Sequence, residues 1–435
     1  MLDALNILTF LWLLSWATFA IYQLAIGKRY SILFILIVHF ILSGVPLIFD
    51  VIIGKPSYLE DPGFFFASRD TMTSVIYCIY VSMVPLLWWA FGRKPITVGD
   101  EDANQQDSTS STFPQYLKAL FSILLISPLI ALVLAPMPEL YIKYGAAPLG
   151  ILQIEGGRDV SSYHNLIIAP FCKLSLLAST GLLFPYKRFR LSLFMLVMPW
   201  ITLAIWLDGK RNIFAIALFL YAYLLWSKGY LKNFKLLAAL VAVAVVIGSF
   251  SYGYKSIVRE KYDDSSSFAD IYQDVRVDYG RDDVIKMTIF SEVYPEKMRI
   301  LEYRGQSLLY YAGIFVPRGL WPDKPMPYAQ YFTSAMLFVD PQELGWGMTT
   351  STLEEAVANL SWLGMIVGPL VIALICRIGD SRKVELVRLL TILVASLLLA
   401  VELSAFLPIV LLWLFSVFWT KRLLRAESKK LSFSF

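Results

Sequence analysis

Residues Leu191–Trp226 read LSLFMLVMPWITLAIWLDGKRNIFAIALFLYAYLLW, two apolar runs joined only by Asp208, Gly209, Lys210 and Arg211 around the turn. Inside a bilayer, every backbone N–H and C=O must be satisfied within the protein, which only helices or closed barrels achieve. The runs Leu191–Leu207 and Ile213–Trp226 are too continuously apolar for barrel strands, so the stretch predicts two antiparallel membrane helices. Nine further runs of the same kind flank them: Leu5–Ile26, Ile32–Ile53, Met72–Phe91, Leu117–Leu134, Ile167–Phe184, Leu236–Phe250, Ala356–Cys376, Leu389–Val401 and Ala405–Thr420. The expectation is an all-α polytopic membrane protein with about 11 transmembrane helices and one large extracytoplasmic loop.

The composition agrees, with 57% hydrophobic and 16% charged residues and a mean hydropathy of +0.62, outside the range of soluble globular domains. Cys78, Cys172 and Cys376 are widely separated in or beside apolar runs, which suggests buried small residues rather than a disulfide framework. MLDA lacks the basic start of a cleavable signal peptide, so the first run reads as a retained helix.

Lys and Arg in the short connections set the orientation. Lys28 and Arg29, Arg93 and Lys94, Lys187, Arg188 and Arg190, Lys228, Lys232 and Lys235, Arg377, Arg382 and Lys383, and the basic tail fall on one side. The other side is poorer, which predicts an extracytoplasmic N-terminus and a cytoplasmic C-terminus. The chain then divides into helices 1–8 over residues 1–251 with a polar cytoplasmic linker near 95–113, a large extracytoplasmic loop over 252–355, helices 9–11 over 356–420, and a basic tail over 421–435. No Walker or G-x-G-x-x-G pattern occurs, so coupling to ATP is not expected.

The second run of the opening stretch is short, which recesses the Asp208–Arg211 tip below the outer surface. Lys210 and Arg211 at that depth must snorkel, pair or line a wet cavity. Glu402, between the last two runs, raises the same question, and a structural lock between it and one of these cations is the competing explanation. His39 reads as a hydrogen-bonded packing residue. His164, opening the fifth run with Lys173 further in, is a candidate for the same cavity.

The long polar region contains VREKYDD, YGRDDVIK, FVPRGLWPDKP and STLEEAVANLSWLG. Arginine stays charged and matches phosphate oxygens bidentately, so a site for a diphosphate calls for guanidinium groups. Arg211 is the first candidate, with Arg281 and Arg259 next. A sugar hydroxyl that attacks must lose a proton, and Glu355 is the first candidate base, with His164 and Glu402 as alternatives. A carboxylate in a first helical turn is also favoured by the helix dipole alone. Trp321, Tyr328 and Phe332 offer flat faces for sugar rings, or serve as interfacial anchors. Asp263–Asp264 and Asp282–Asp283 lack further ligands at a recognisable spacing, so no metal or other cofactor is expected.

Taken together, LSGVPLIF, LDGKRNIFAIALFL, YGRDDVIKMTIF, FVPRGLWPDKP and STLEEAVANLSWLG resemble the Wzy-type polymerases of O-antigen and related bacterial polysaccharides. The resemblance spans most of the chain and rests on the order and placement of these segments. It implies a membrane glycosyltransferase acting on polyprenyl-diphosphate-linked oligosaccharide repeat units at the periplasmic face, with a Wzz-type co-polymerase setting chain length. Membrane lipid is the other implied partner, and no nucleic acid is expected. Carried onto this sequence, the resemblance points to Arg211, Arg281, Arg318, Trp321 and the Glu-x-x-x-Asn of Glu355 and Asn359. Leu360–Ser361 stands where that motif usually continues with glycines.

O-antigen ligases share this architecture. A lipid-linked oligosaccharide flippase or other transporter would show internal repeats and midplane charges, neither of which is evident. A non-catalytic assembly subunit is the remaining alternative.

Overall fold

The computed structural model describes residues 2–93, 115–144, 160, 163–186, 188–209, 211–231, 235, 238, 242, 272–273, 276–277, 279–316, 319–344, 347–382 and 384–418. In chain order the helices are α1 (Leu2–Ala25), α2 (Ser31–Ile52), α3 (Pro62–Arg69), α4 (Thr71–Gly92), α5 (Gln115–Val133), α6 (Pro138–Tyr144), α7 (Ala169–Leu183), α8 (Leu191–Asp208) and α9 (Arg211–Ser227). They continue with α10 (Asp282–Val293), α11 (Gln306–Ala312), α12 (Tyr328–Leu337), α13 (Thr352–Leu360), α14 (Gly364–Asp380), α15 (Glu385–Ala400) and α16 (Leu403–Phe418). No strand occurs among the described residues. The chain forms two compact units, Met1–Thr97 with Asp264–Phe435, and Val98–Asp263.

The protein is a multi-pass, all-α membrane protein. Among the described residues, five helical stretches are long and apolar enough to cross a bilayer, Leu2–Ala25, Ser31–Ile52, Thr71–Gly92, Leu166–Leu183 and Leu191–Asp208, and a sixth of sufficient length and apolarity, Thr352–Asp380, reverses at Ser361. The expected count of eleven is corrected accordingly. Lys118–Val133, Ile213–Ser227 and Leu403–Phe418 are apolar but shorter, and α15 has 16 residues with Glu385 and Arg388 in its first turn. The run Leu236–Phe250, apart from residues 238 and 242, lies outside the described residues.

The first unit is organised around a break in α2. Proline has no N–H to donate, so Pro46 leaves the Leu42 carbonyl without its helical partner, and the turn Phe40–Gly44 widens to π geometry. The Arg281 backbone N–H donates to that Leu42 carbonyl at 3.0 Å, and the Tyr77 hydroxyl takes the Ser43 carbonyl at 2.9 Å. One turn on, Asp50 meets Arg276 and Lys286, which also hold Asp282 and Asp283. The broken membrane helix is thereby clamped to the start of α10.

Beyond the clamp, the segment between α2 and α4 folds with the large loop. Tyr58 and Phe64 share a core with Met287, Phe290, Tyr328, Phe332 and Met336. Tyr328 and Phe332 are fully buried there, so they present no faces to a sugar, and the expectation for these two is corrected.

The ninth predicted helix, Ala356–Cys376, is also corrected. The chain reverses at Ser361, whose φ is +55°. Along one continuous helix Thr352 and Gly368 would stand ~24 Å apart. Instead, a Cβ on Gly368 would lie 3.5 Å from the Thr352 carbonyl, and one on Gly364 would overlap the Ala356 carbonyl. The segments α13 and α14 thus form a tight hairpin, and glycine at position 364 permits the approach. Pro369 in α14 gives its carbonyl to Trp88 Nε1 of α4 at 3.0 Å, fixing the hairpin to the bundle.

In the second unit, α7 packs between α5 and α8. Gly181 lies against the Phe121 ring, and the Ser179 and Tyr221 hydroxyls meet at 2.8 Å. Gly209 ends α8 in the left-handed conformation at φ +62°, which glycine adopts at little cost.

Candidate active site

The short helix α13 begins with a capping box: the Ser351 side chain meets the backbone at Glu354, while the Glu354 carboxylate returns to the Ser351 N–H. That arrangement consumes Glu354 structurally. Its neighbour Glu355 is turned the other way, into a buried polar network. Glu355 and Asn359 are four residues apart, hence on one helical face. Asn359 Nδ2 donates to the Glu355 carbonyl at 2.8 Å and to Ser307 Oγ at 2.7 Å.

The opposing face comes from α11, where Ser307 and Tyr311 are again four apart. Ser307 Oγ donates to Glu355 Oε1 at 2.7 Å, and the Tyr311 hydroxyl lies 3.1 Å from Glu355 Oε2. The same hydroxyl lies 3.4 Å from Glu402 Oε1. Tyr311 has a single proton for two carboxylates, and two buried carboxylates this close disfavour simultaneous ionisation. Burial pushes the Glu402 carboxyl up from its ordinary range, while Ser404, the backbone at Ala329, the Tyr311 hydroxyl and the backbone at Tyr328 work against that rise. Tyr328 and Ala329 open α12, whose dipole favours an anion there. Burial and the two carboxylates raise the Tyr311 phenol well above its usual value, so it stays protonated and acts as a donor.

Among the described residues, one atom of this network meets no donor: the buried Asn359 Oδ1. A buried acceptor is ordinarily hydrogen-bonded, and this one is open to a donor such as a hydroxyl or a water.

Among the sequence candidates, the structure brings together Glu355, Glu402 and Asn359. Arg281 belongs to the same unit but is buried, with Nη1 donating to the Thr349 carbonyl at 2.9 Å. Its charge acts on the capping residue Glu354. Trp321 is partly exposed and lays its ring over Gly313. Asp282 and Asp283 take their counter-charges from Arg276 and Lys286.

Comparison with known proteins yields no matching family model, no matching curated protein and no matching solved structure. The functional argument therefore rests on the residues.

His164 and Arg211 belong to the second unit. His164 is buried and stacks on Tyr141 at 6.0 Å. Lys173 pairs with Asp208 at 3.7 Å, both buried. The backbone of Arg211 opens α9, while its side chain, together with Lys210, Arg259, Arg318, Asp263, the 95–113 linker and the basic tail, lies outside the described residues. The competing explanation, a lock between Glu402 and Lys210 or Arg211, falls on side chains outside the described residues; among the described residues Glu402 meets a phenol and backbone N–H groups. His39 packs as expected, with Nε2 3.1 Å from the Val81 carbonyl.

Sequence reasoning missed Ser307 and Tyr311. Their signal is two hydroxyls at helical spacing in QSLLYYA, within a segment otherwise free of charge. It also missed Asp208 as the partner of Lys173, and Asp50, Arg276 and Lys286.

Proposed function

We propose that this protein is a membrane glycosyltransferase that polymerises polyprenyl-diphosphate-linked oligosaccharide repeat units, an O-antigen or related polysaccharide polymerase. The observation that carries the reading is the Glu355–Tyr311–Glu402 network with the open acceptor of Asn359 beside it. The segment order that resembles Wzy-type polymerases supports it, as does the all-α multi-pass fold.

In this mechanism the acceptor sugar hydroxyl donates to Asn359 Oδ1 or Glu355 as it approaches the anomeric carbon of the donor. A new C–O bond forms, the bond to the diphosphate oxygen breaks, and Glu355 takes the hydroxyl proton. Polyprenyl diphosphate departs with the bonding electron pair. Ser307 and Tyr311 hold the Glu355 carboxylate in place, and Glu402 fixes the Tyr311 phenol. Cations are needed for the departing charge, and Arg211, Lys210, Arg259, Arg281 and Arg318 are the candidates from the sequence. The reaction is assigned to the periplasmic face of a bacterial inner membrane, with a Wzz-type partner for length control.

A surface glycan ladder from a deletion strain tests the reading. Single repeat units on the core support it. Bare core with polymer held on the lipid carrier indicates a ligase, and repeat units trapped in the cytoplasmic leaflet indicate a flippase.

A further inference from the structure

The helix α11 has two faces of opposite character. Ser307 and Tyr311 point into the carboxylate network. On the other side Leu308 and Leu309 are 48% and 45% exposed; in the turn that follows Phe315 is 79% exposed, and further along the chain Leu320 is 81% exposed. From Gly305 to Val316 there is no charged residue. Isolated apolar residues on a surface are ordinary, but a contiguous uncharged patch marks a binding surface.

We propose that α11 and the turn after it form a shelf seated in the membrane interface, with Leu308, Leu309, Phe315 and Leu320 among the acyl chains of bilayer lipid. Hydrogen bonding supports this occupant. Lys324 is buried, and its ammonium donates to the carbonyls of Ile314 at 3.0 Å and Val316 at 3.1 Å. Water would satisfy those carbonyls without help, whereas lipid requires the protein to do so.

The position in the fold supports it as well. The helix α11 packs against α13, the first arm of the hairpin whose second arm, α14, carries the apolar span. At the hairpin tip Trp362, Leu363 and Ile366 are exposed as well. Around the patch stand Tyr303, Tyr310, Trp321 and Arg304, side chains with an apolar body and a polar end that favour the headgroup level. This part of the large loop is thus anchored in lipid. The Ser307–Tyr311–Glu355 network then lies at headgroup depth, whatever reaction it serves.

The test uses the full chain in phosphatidylcholine vesicles with a nitroxide attached to a cysteine placed at 309, 315 or 320, and at Glu302 as a solvent control. All four positions lie on the surface, so folding is not at risk. Unsubstituted protein, whose Cys78, Cys172 and Cys376 are buried, sets the labelling background. Leu309→Cys, Phe315→Cys and Leu320→Cys are expected to collide several-fold more with dissolved oxygen than with a water-soluble nickel chelate, and Glu302→Cys the reverse. Chelate access at 309, 315 and 320 equal to that at 302 overturns the inference, and so does exclusion of both reagents, which means a second copy of the chain covers the face.

Discussion

Glu355 and Glu402 present their carboxylates to one Tyr311 hydroxyl, at 3.1 Å and 3.4 Å. The two come from different parts of the fold, the first turn of α13 and the turn between α15 and α16. A hydroxyl shared in this way fixes both carboxylates and leaves proton affinity at the pair. That is the inventory a base needs when it must be ionised before attack and protonated after it.

Glu355→Gln keeps the shape and the Asn359 contact but removes the proton acceptor. Turnover is expected to fall by about 10²–10⁴-fold with donor binding retained. Single-turnover kinetics with a lipid-linked oligosaccharide separates the two effects.

Tyr311→Phe removes the shared donor and leaves both carboxylates less well held. A hydrogen bond to a charged group contributes about 1.5–3 kcal/mol, so the rate is expected to drop about 10- to 100-fold. A variant with full activity would remove Tyr311 from the account.

Glu402 sets a pH dependence whose sign follows from burial. Its carboxyl is pushed up in the folded protein, so the unfolded chain ionises first and binds fewer protons above the ordinary carboxylate range. Stability therefore falls as pH rises from that range through the raised value. Thermal unfolding of the detergent-solubilised protein should show this slope, and Glu402→Gln should flatten it.

The clamp between α2 and α10 is buried throughout, with Arg276 held by Asp50, Asp282 and Asp283. Removing one partner strands the others in a low dielectric. Arg276→Ala is expected to cost about 3–5 kcal/mol, read as a large drop in unfolding temperature.

Gly364→Ala drives a methyl group into the Ala356 carbonyl across the α13–α14 hairpin. The expected loss is about 1–3 kcal/mol, and because α13 carries Glu355, activity should fall with stability. Gly319→Ala meets nothing within 4 Å and serves as the matched control.

The membrane helices were legible because uninterrupted apolar runs admit few other structures, and α1, α2, α4 and α8 end within a few residues of their predicted limits. The hairpin at Ser361 was not. NLSWLG carries apolar character straight through the reversal, and the break depends on a positive φ at a serine that no residue pattern announces. The break in α2 was hidden for a related reason: Pro46 sits in an apolar run, and the donor for the freed Leu42 carbonyl comes from Arg281, far along the chain. Glu355 was picked out as a carboxylate opening a helix, and Glu402 as an ionisable group between two apolar runs. Their pairing needed Tyr311, and nothing local in the sequence ties QSLLYYA to either carboxylate.

The most direct test of the central claim is reconstitution of the purified protein in vesicles with a polyprenyl-diphosphate-linked oligosaccharide repeat unit. The account predicts a ladder of lengthened glycans on the lipid and release of one polyprenyl diphosphate per bond formed, both lost in Glu355→Gln. Repeat units that cross the bilayer at unchanged length, or a ladder equally strong with Glu355→Gln, would contradict it.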